Sequence, residues 1–186
     1  MNSKITQEFA DSFGEAEKLF KENKFLESLR IYKILLKKKP EHVSVLNNIA
    51  LIYERQGKFD EAISYYEKCN QILPDRDIFI HNLANIYCKA ERYIDALPLL
   101  KKMTNLDHGN ESNFEKLSIC LFYTQTKKET KNFIELALAK FPNNILLNEL
   151  LGKTLLHLSV YKDGIRYLQK GTGLIEFNDK GVKYLS

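Results

Sequence analysis

The sequence predicts an all-α protein, a right-handed α-solenoid of stacked antiparallel helix pairs that finishes in a small C-terminal β-hairpin. Three observations carry the helical part. The first is a ruler of 34 residues: Pro74 follows Pro40 by 34, and Pro142 follows Pro74 by 68, with His108 at the skipped mark. Repeats starting at Phe9, Val43, Asp77, Glu111 and Ile145 put all four residues at repeat position 32. The second is that two columns of this register hold only small residues. Column 8 reads Ala16, Ala50, Ala84, Ser118 and Gly152, and column 20 reads Ser28, Ala62, Ala96, Thr130 and Gly164. Helices that cross closely leave no room for a large side chain at the crossing. The third is apolar spacing at positions 4, 7, 8 and 11, one face of a helix, as in Ile80, Leu83, Ala84 and Tyr87. A fixed period of this length marks repeats that bury one another's apolar faces.

The elements follow in order. First helices are predicted near 9–22, 43–56, 77–90, 111–124 and 145–158, and second helices near 26–39, 59–72, 93–106, 127–140 and 161–171. Polar breaks such as Arg55-Gln56-Gly57-Lys58 separate the two helices of a repeat. Bulk fills the other columns: Leu19, Tyr53, Tyr87, Leu121 and Leu155 at 11, and Tyr32, Tyr66, Leu100, Ile134 and Leu168 at 24. Column 17 holds Phe25, Phe59, Tyr93, Lys127 and Tyr161. Pro98 falls in the first turns of its helix, where a missing N–H costs little, so at most a local irregularity is expected.

Gly171 and Gly173 are expected to stop the last helix, each costing about 1 kcal/mol inside one. The repeats then span 1–171, and 172–186 form a hairpin or capping tail. Leu174–Phe177 and Val182–Leu185 read as strands around a four-residue loop, Asn178-Asp179-Lys180-Gly181. That loop pairs Phe177 with Val182, Glu176 with Lys183, Ile175 with Tyr184 and Leu174 with Leu185. The hairpin either covers the end of the array or meets a second copy through its edge.

Composition narrows the function. The 186 residues are 44% hydrophobic and 28% charged, with a net charge of +4. So small a surplus does not make the concentrated basic face of a nucleic-acid binder, and the runs Lys37-Lys38-Lys39 and Lys127-Lys128 are short. No stretch approaches the roughly 18 apolar residues of a membrane span. The polar start MNSKITQEFADSF lacks a signal peptide's apolar core, and Cys69, Cys88 and Cys120 are widely spaced, so a cytoplasmic protein with free thiols is expected. No phosphate loop, HExxH pair or nucleophile elbow occurs, and His42, His81, His108 and His157 are scattered. No catalytic residue, metal site or cofactor is therefore nominated.

The pattern closely resembles the tetratricopeptide repeat. Repeat two carries Ile49-Ala50, Tyr53, Gly57, Phe59, Ala62, Tyr66 and Pro74, and IHNLANIYCKAERYIDALPLL in repeat three is nearly as good. Glu15 in repeat one, and Lys127 and Thr130 in repeat four, depart from it. The resemblance implies a protein-interaction adaptor or scaffold, not an enzyme, with a concave groove lined by first-helix columns 2, 5, 6, 9, 12 and 13. Asn47, Asn48, Arg55, His81, Asn82, Asn85 and Lys89 fall there, joined toward the C-terminus by the apolar Ile119, Phe122, Tyr123 and Leu150. Asparagine donates and accepts at once, so a row of them can grip a peptide backbone. The two rungs at column 6, Asn48 and Asn82, are similar to the asparagine ladder of the superhelical repeats that present substrates to O-linked glycosyltransferases. A substrate-recognition module for a glycosyl- or sulfotransferase on another chain is therefore one alternative. Another is a self-assembling structural protein that oligomerises through repeat ends or the hairpin. The Lys and Asn set that clamps a terminal carboxylate in chaperone-binding repeats is not matched.

Overall fold

A computed structural model of the chain describes residues 2–74, 76–105, 110–172, 175–178 and 181–184. Ten helices are described: α1 (Asn2–Lys21), α2 (Phe25–Lys38), α3 (Val43–Arg55), α4 (Phe59–Ile72), α5 (Asp77–Lys89), α6 (Tyr93–Asn105), α7 (Glu111–Thr124), α8 (Lys127–Lys140), α9 (Ile145–His157) and α10 (Tyr161–Thr172). Their ends fall within one residue of the expected ones, except that α1 begins at Asn2 and not near residue 9. Residues 2–8 contain no glycine or proline, so nothing in the sequence stops the helix from extending upstream. The chain divides into two compact bodies, Met1–Glu91 and Arg92–Ser186.

All ten small residues of columns 8 and 20 are buried. Two of the three hydroxyls among them find backbone on the facing helix, whereas Ser118 Oγ is buried without a partner among the described residues. Ser28 Oγ donates to the Ala16 carbonyl at 2.7 Å, and Thr130 Oγ1 to that of Leu121 at 3.0 Å. These bonds explain why Ser28 and Thr130 are tolerated at close crossings. In the N-terminal body, Tyr32, Leu35, Val45, Ile49 and Ile52 form one apolar cluster around Ala16. In the C-terminal body, Ile134, Ala137, Leu147, Leu151 and Leu155 form another.

The turn between the two helices of a repeat uses one backbone device. Its column-15 residue is left-handed in Asn23 (φ 60°), Gly57 (71°), Glu91 (57°) and Ser159 (61°). Amides of Lys24, Lys58 and Val160 then reach back to the carbonyls of Leu19, Tyr53 and Leu155, each at 2.9 Å, closing the helix end. Only Gly57 adopts this conformation without steric cost. Repeat four departs: Gln125 is extended, and Thr126 opens α8 with a capping box to Glu129. Helix α6 runs through Pro98 without a break.

After α10 come β1 (Ile175–Asn178) and β2 (Gly181–Tyr184), antiparallel, with Ile175 opposite Tyr184, Glu176 opposite Lys183 and Phe177 opposite Val182. An additional rung pairs Asn178 with Gly181, so residues 179–180 alone connect the strands and the loop is shorter than the four residues expected. The expected Leu174–Leu185 pair, His108 and Gly173 lie outside the described residues. Helix α10 ends at Thr172, one residue beyond the expected end, with Gly171 in its last turn. Its missing side chain also serves packing: a Cβ there would lie 2.6 Å from the Glu149 amide nitrogen of α9.

Candidate functional site

In the N-terminal body the first-helix face of α3 and α5 is polar and internally bonded. Asn82 Nδ2 donates to Asn47 Oδ1 at 3.0 Å, Asn47 Nδ2 to Asn48 Oδ1 at 3.5 Å, and Asn48 Nδ2 to the Tyr32 hydroxyl at 2.9 Å. The three carboxamides thus relay from α5 through α3 to α2. The relay ends on a fully buried tyrosine, whose hydroxyl pKa burial pushes up to about 12, with Glu17 adding to the rise. Six residues beyond Asn48 on the same helix, Glu54 holds α5 as well. It pairs with Lys89 Nζ at 2.6 Å and accepts from the Tyr66 hydroxyl at 2.9 Å. Burial first, and the Glu54 charge second, raise the Tyr66 pKa.

Each carboxamide offers two N–H groups and one carbonyl. Asn47 and Asn48 each use the carbonyl and one N–H within the relay. Asn82, at its open end, uses one N–H, and its carbonyl has no partner among the described residues. Asn85 Nδ2 lies 2.9 Å from His81 Nδ1, one turn earlier on α5, while its own carbonyl is buried without a partner. Arg55 is exposed and makes no ion pair among the described residues.

The structure therefore brings Asn47, Asn48, Arg55, His81, Asn82, Asn85 and Lys89 to α3 and α5 of one body, and divides their tasks. Asn47, Asn48 and Lys89 hold helices together, whereas Asn82 and Arg55 keep unused polar groups. Sequence reasoning missed Tyr32 and Glu54. Tyr32 reads as a core residue of column 24, and Glu54 as one more surface acid. A signal was present in both, since a buried tyrosine hydroxyl and a carboxylate beside Lys89 each need a partner.

The C-terminal body places the apolar candidates differently. Ile119 and Phe122 are partly buried, and Tyr123 is 64% exposed. Leu150 corrects the expectation: it is buried among Ile134, Leu147 and Leu151 and does not line a surface. Burying a leucine is worth about 1.5–3 kcal/mol, which favours the core for this side chain. Tyr123 stacks on Tyr93 with ring centroids 4.8 Å apart and planes 8° apart. Phe122 meets Tyr123 edge-on at 5.3 Å and stacks near His157 at 6.0 Å. Lys127 takes the place of a column-17 aromatic by holding its ammonium 4.5 Å above the Phe122 ring.

Among the described residues no group of acids, histidines and cysteines is arranged to hold a metal ion. None of the described helices is long and apolar enough to cross a membrane.

Comparison with known proteins agrees with this geometry. No protein of curated function matches the sequence. Among solved structures, the fold is similar to YrrB, described as a TPR protein with an unusual peptide-binding site. The TM-score is 0.76 at 17% identity, over 87% of this chain and 84% of that one. It is also similar to MamA from AMB-1, with a TM-score of 0.77 at 16% identity over 91% and 92% of the chains. MamA from Desulfovibrio magneticus RS-1 gives 0.76 at 14% identity over 89% and 94%. Identities this low speak for the fold alone. The tetratricopeptide repeat family itself matches at residues 43–75 and again at 80–103, covering α3 to α6, and the chain is a tetratricopeptide repeat protein.

Proposed function

We propose that the chain is a non-catalytic interaction module, residues 1–171 acting as five repeats, that binds an extended polypeptide along α3 and α5 through the ligand's backbone. The observation that carries this reading is the open end of the carboxamide relay. Asn82 keeps a carbonyl and an N–H unused on a partly exposed helix face, the pair of groups that a peptide amide complements. Asn47 and Asn48 fix its position by the bonds behind it. Exposed Arg55 adds a cation for a carboxylate of the ligand. Backbone contacts of this kind make binding tolerant of ligand sequence, while His81 and Asn85 flank the contact and limit the side chains it accepts. A peptide-binding site is also what YrrB is described as having.

The test is photo-crosslinking in native extract with benzoylphenylalanine in place of Asn82 and, as control, in place of exposed Glu61 on α4. A polypeptide adduct at position 82 that is absent at 61, and is competed by an excess of unlabelled parent chain, is expected. Equal labelling at the two positions in folded protein overturns the reading.

A further inference from the structure

We propose that the C-terminal body carries a second docking ledge, which takes a partner segment presenting one aromatic side chain between carboxylates. It rests on the reading that the chain binds polypeptide, and it uses none of the α3 and α5 residues. The ledge is a row of rings from three helices: Tyr93 at the start of α6, Phe122 and Tyr123 at the end of α7, and His157 at the end of α9. In such a row each internal ring normally loses most of its surface. Tyr123 remains 64% exposed although Tyr93 covers one of its faces. Large exposed aromatic surface beside other rings is a platform on which a further ring stacks.

Charge selects the flanks of the ligand. Lys127 holds its ammonium over Phe122 and bonds to the Phe122 carbonyl at 3.3 Å, which leaves two of its three N–H donors for a ligand. Lys128 beside it is exposed and makes no hydrogen bond or ion pair among the described residues. Two carboxylates of the same helices have other partners. Glu129 turns back to the Thr126 amide and hydroxyl, and Asp95 is paired with Arg92 at 2.7 Å. The ring row thus carries the ammonium of Lys127, which has no ion pair among the described residues, with Lys128 next to it in the chain, and a ligand with carboxylates beside its ring complements both features. A nucleic acid also offers rings and negative charge, but two lysines make a small footprint for a phosphate chain.

The experiment is fluorescence anisotropy on the full chain at low salt. The probe is a fluorescein-labelled peptide with one phenylalanine between two pairs of glutamates. Saturable binding is expected, weakened about tenfold or more by Tyr123→Ala, and likewise by the double change Lys127→Gln with Lys128→Gln. A peptide with alanine for its phenylalanine should bind no better than the Tyr123→Ala chain binds the parent peptide. All titrations are run in an Asn82→Ala background, which removes the α3 and α5 contact and so tells a failure of that face from a failure of the ledge. Absence of saturable binding in the folded Asn82→Ala chain, or full affinity when Tyr123→Ala is added to it, would overturn the proposal. Tighter binding of a ten-nucleotide oligouridine than of the peptide would overturn it in favour of nucleic acid.

Discussion

Replacing Gly171 with alanine should weaken the protein, although alanine is the better helix former. Gly171 lies within α10, where α9 and α10 approach backbone to backbone. An added Cβ would meet the Glu149 amide nitrogen at 2.6 Å, the Ile145 carbonyl oxygen at 2.9 Å and Glu149 Cα at 3.0 Å. Ordinary contact begins at 3.4 Å, so the shortest approach is 0.8 Å too close. All three atoms are main chain and cannot rotate aside, so the helices must separate. Helix propensity returns about 1 kcal/mol. Overpacking of a tight contact costs about 1–3 kcal/mol, and more against rigid neighbours. The balance is a loss of about 1–2 kcal/mol, a fall in Tm of roughly 3–6 °C for a chain of this size. Gly14→Ala is the internal control. Gly14 is exposed in α1 and an added Cβ there meets nothing within 4 Å, so the same substitution should stabilise by about 0.5–1 kcal/mol. Circular dichroism at 222 nm during thermal and urea unfolding measures both. Equal shifts of the two variants in the same direction would refute the close-packing argument.

Further expectations concern the crossings, turns, relay and ionisable core. Ala50→Leu, at a fully buried crossing, should destabilise by about 1–3 kcal/mol in the same unfolding assay. Ser159→Gly should stabilise by about 1 kcal/mol, because Ser159 has φ 61°, a conformation costly for any residue with a Cβ. Asn48→Ala should cost about 1–3 kcal/mol by stripping the buried Tyr32 hydroxyl of its donor, whereas Asn82→Ala should cost under about 1 kcal/mol; equal losses would contradict a relay anchored at Tyr32. Burial raises the pKa of Cys69 from 9.0 and of Tyr32 from 10.0, each to about 12, and raises that of Tyr66 too. These groups stay protonated in the folded chain while the unfolded chain ionises. Stability is therefore full below pH 9 and falls from pH 9 to 12, by about 1.4 kcal/mol per pH unit for each group in its window. Urea midpoints that are flat from pH 8.5 to 11 would refute that assignment.

The helices were legible because a repeat states each of its requirements several times. A single small residue such as Ser118 or Thr130 says little, but at a column shared with alanines and glycines it identifies a crossing, and all ten such residues are buried. The strand register was legible for a different reason, since alternation and turn length together allow few pairings. What escaped were features with no counterpart in other repeats. Gly171 was legible near the end of α10 from propensity, which is local, but its packing role depends on the approach of Glu149 from α9. The upstream extension of α1 lies before the first period, so periodicity is silent about it. Leu150 matched a lining column by number, yet its side chain entered the core with Ile134 and Leu147, because a column number does not fix how a helix is rotated against its neighbours.

The candidate face shows the same limit at the level of single atoms. Residue type and spacing were enough to put asparagines on the exposed side of two neighbouring first helices. They could not tell an amide that waits for a ligand from one already spoken for, because that depends on a bond between positions 35 apart, Asn82 to Asn47. Once those bonds are counted, commitment increases toward the interior: Tyr32 and Asn48 bond each other across α2 and α3, Asn47 links them onward, and Asn82 ends with unused groups. A polar row built this way keeps a hydrogen-bonding end at the surface without leaving a polar group stranded behind it. It also ties ligand contact to helix packing, since any shift of α5 against α3 moves the open amide of Asn82.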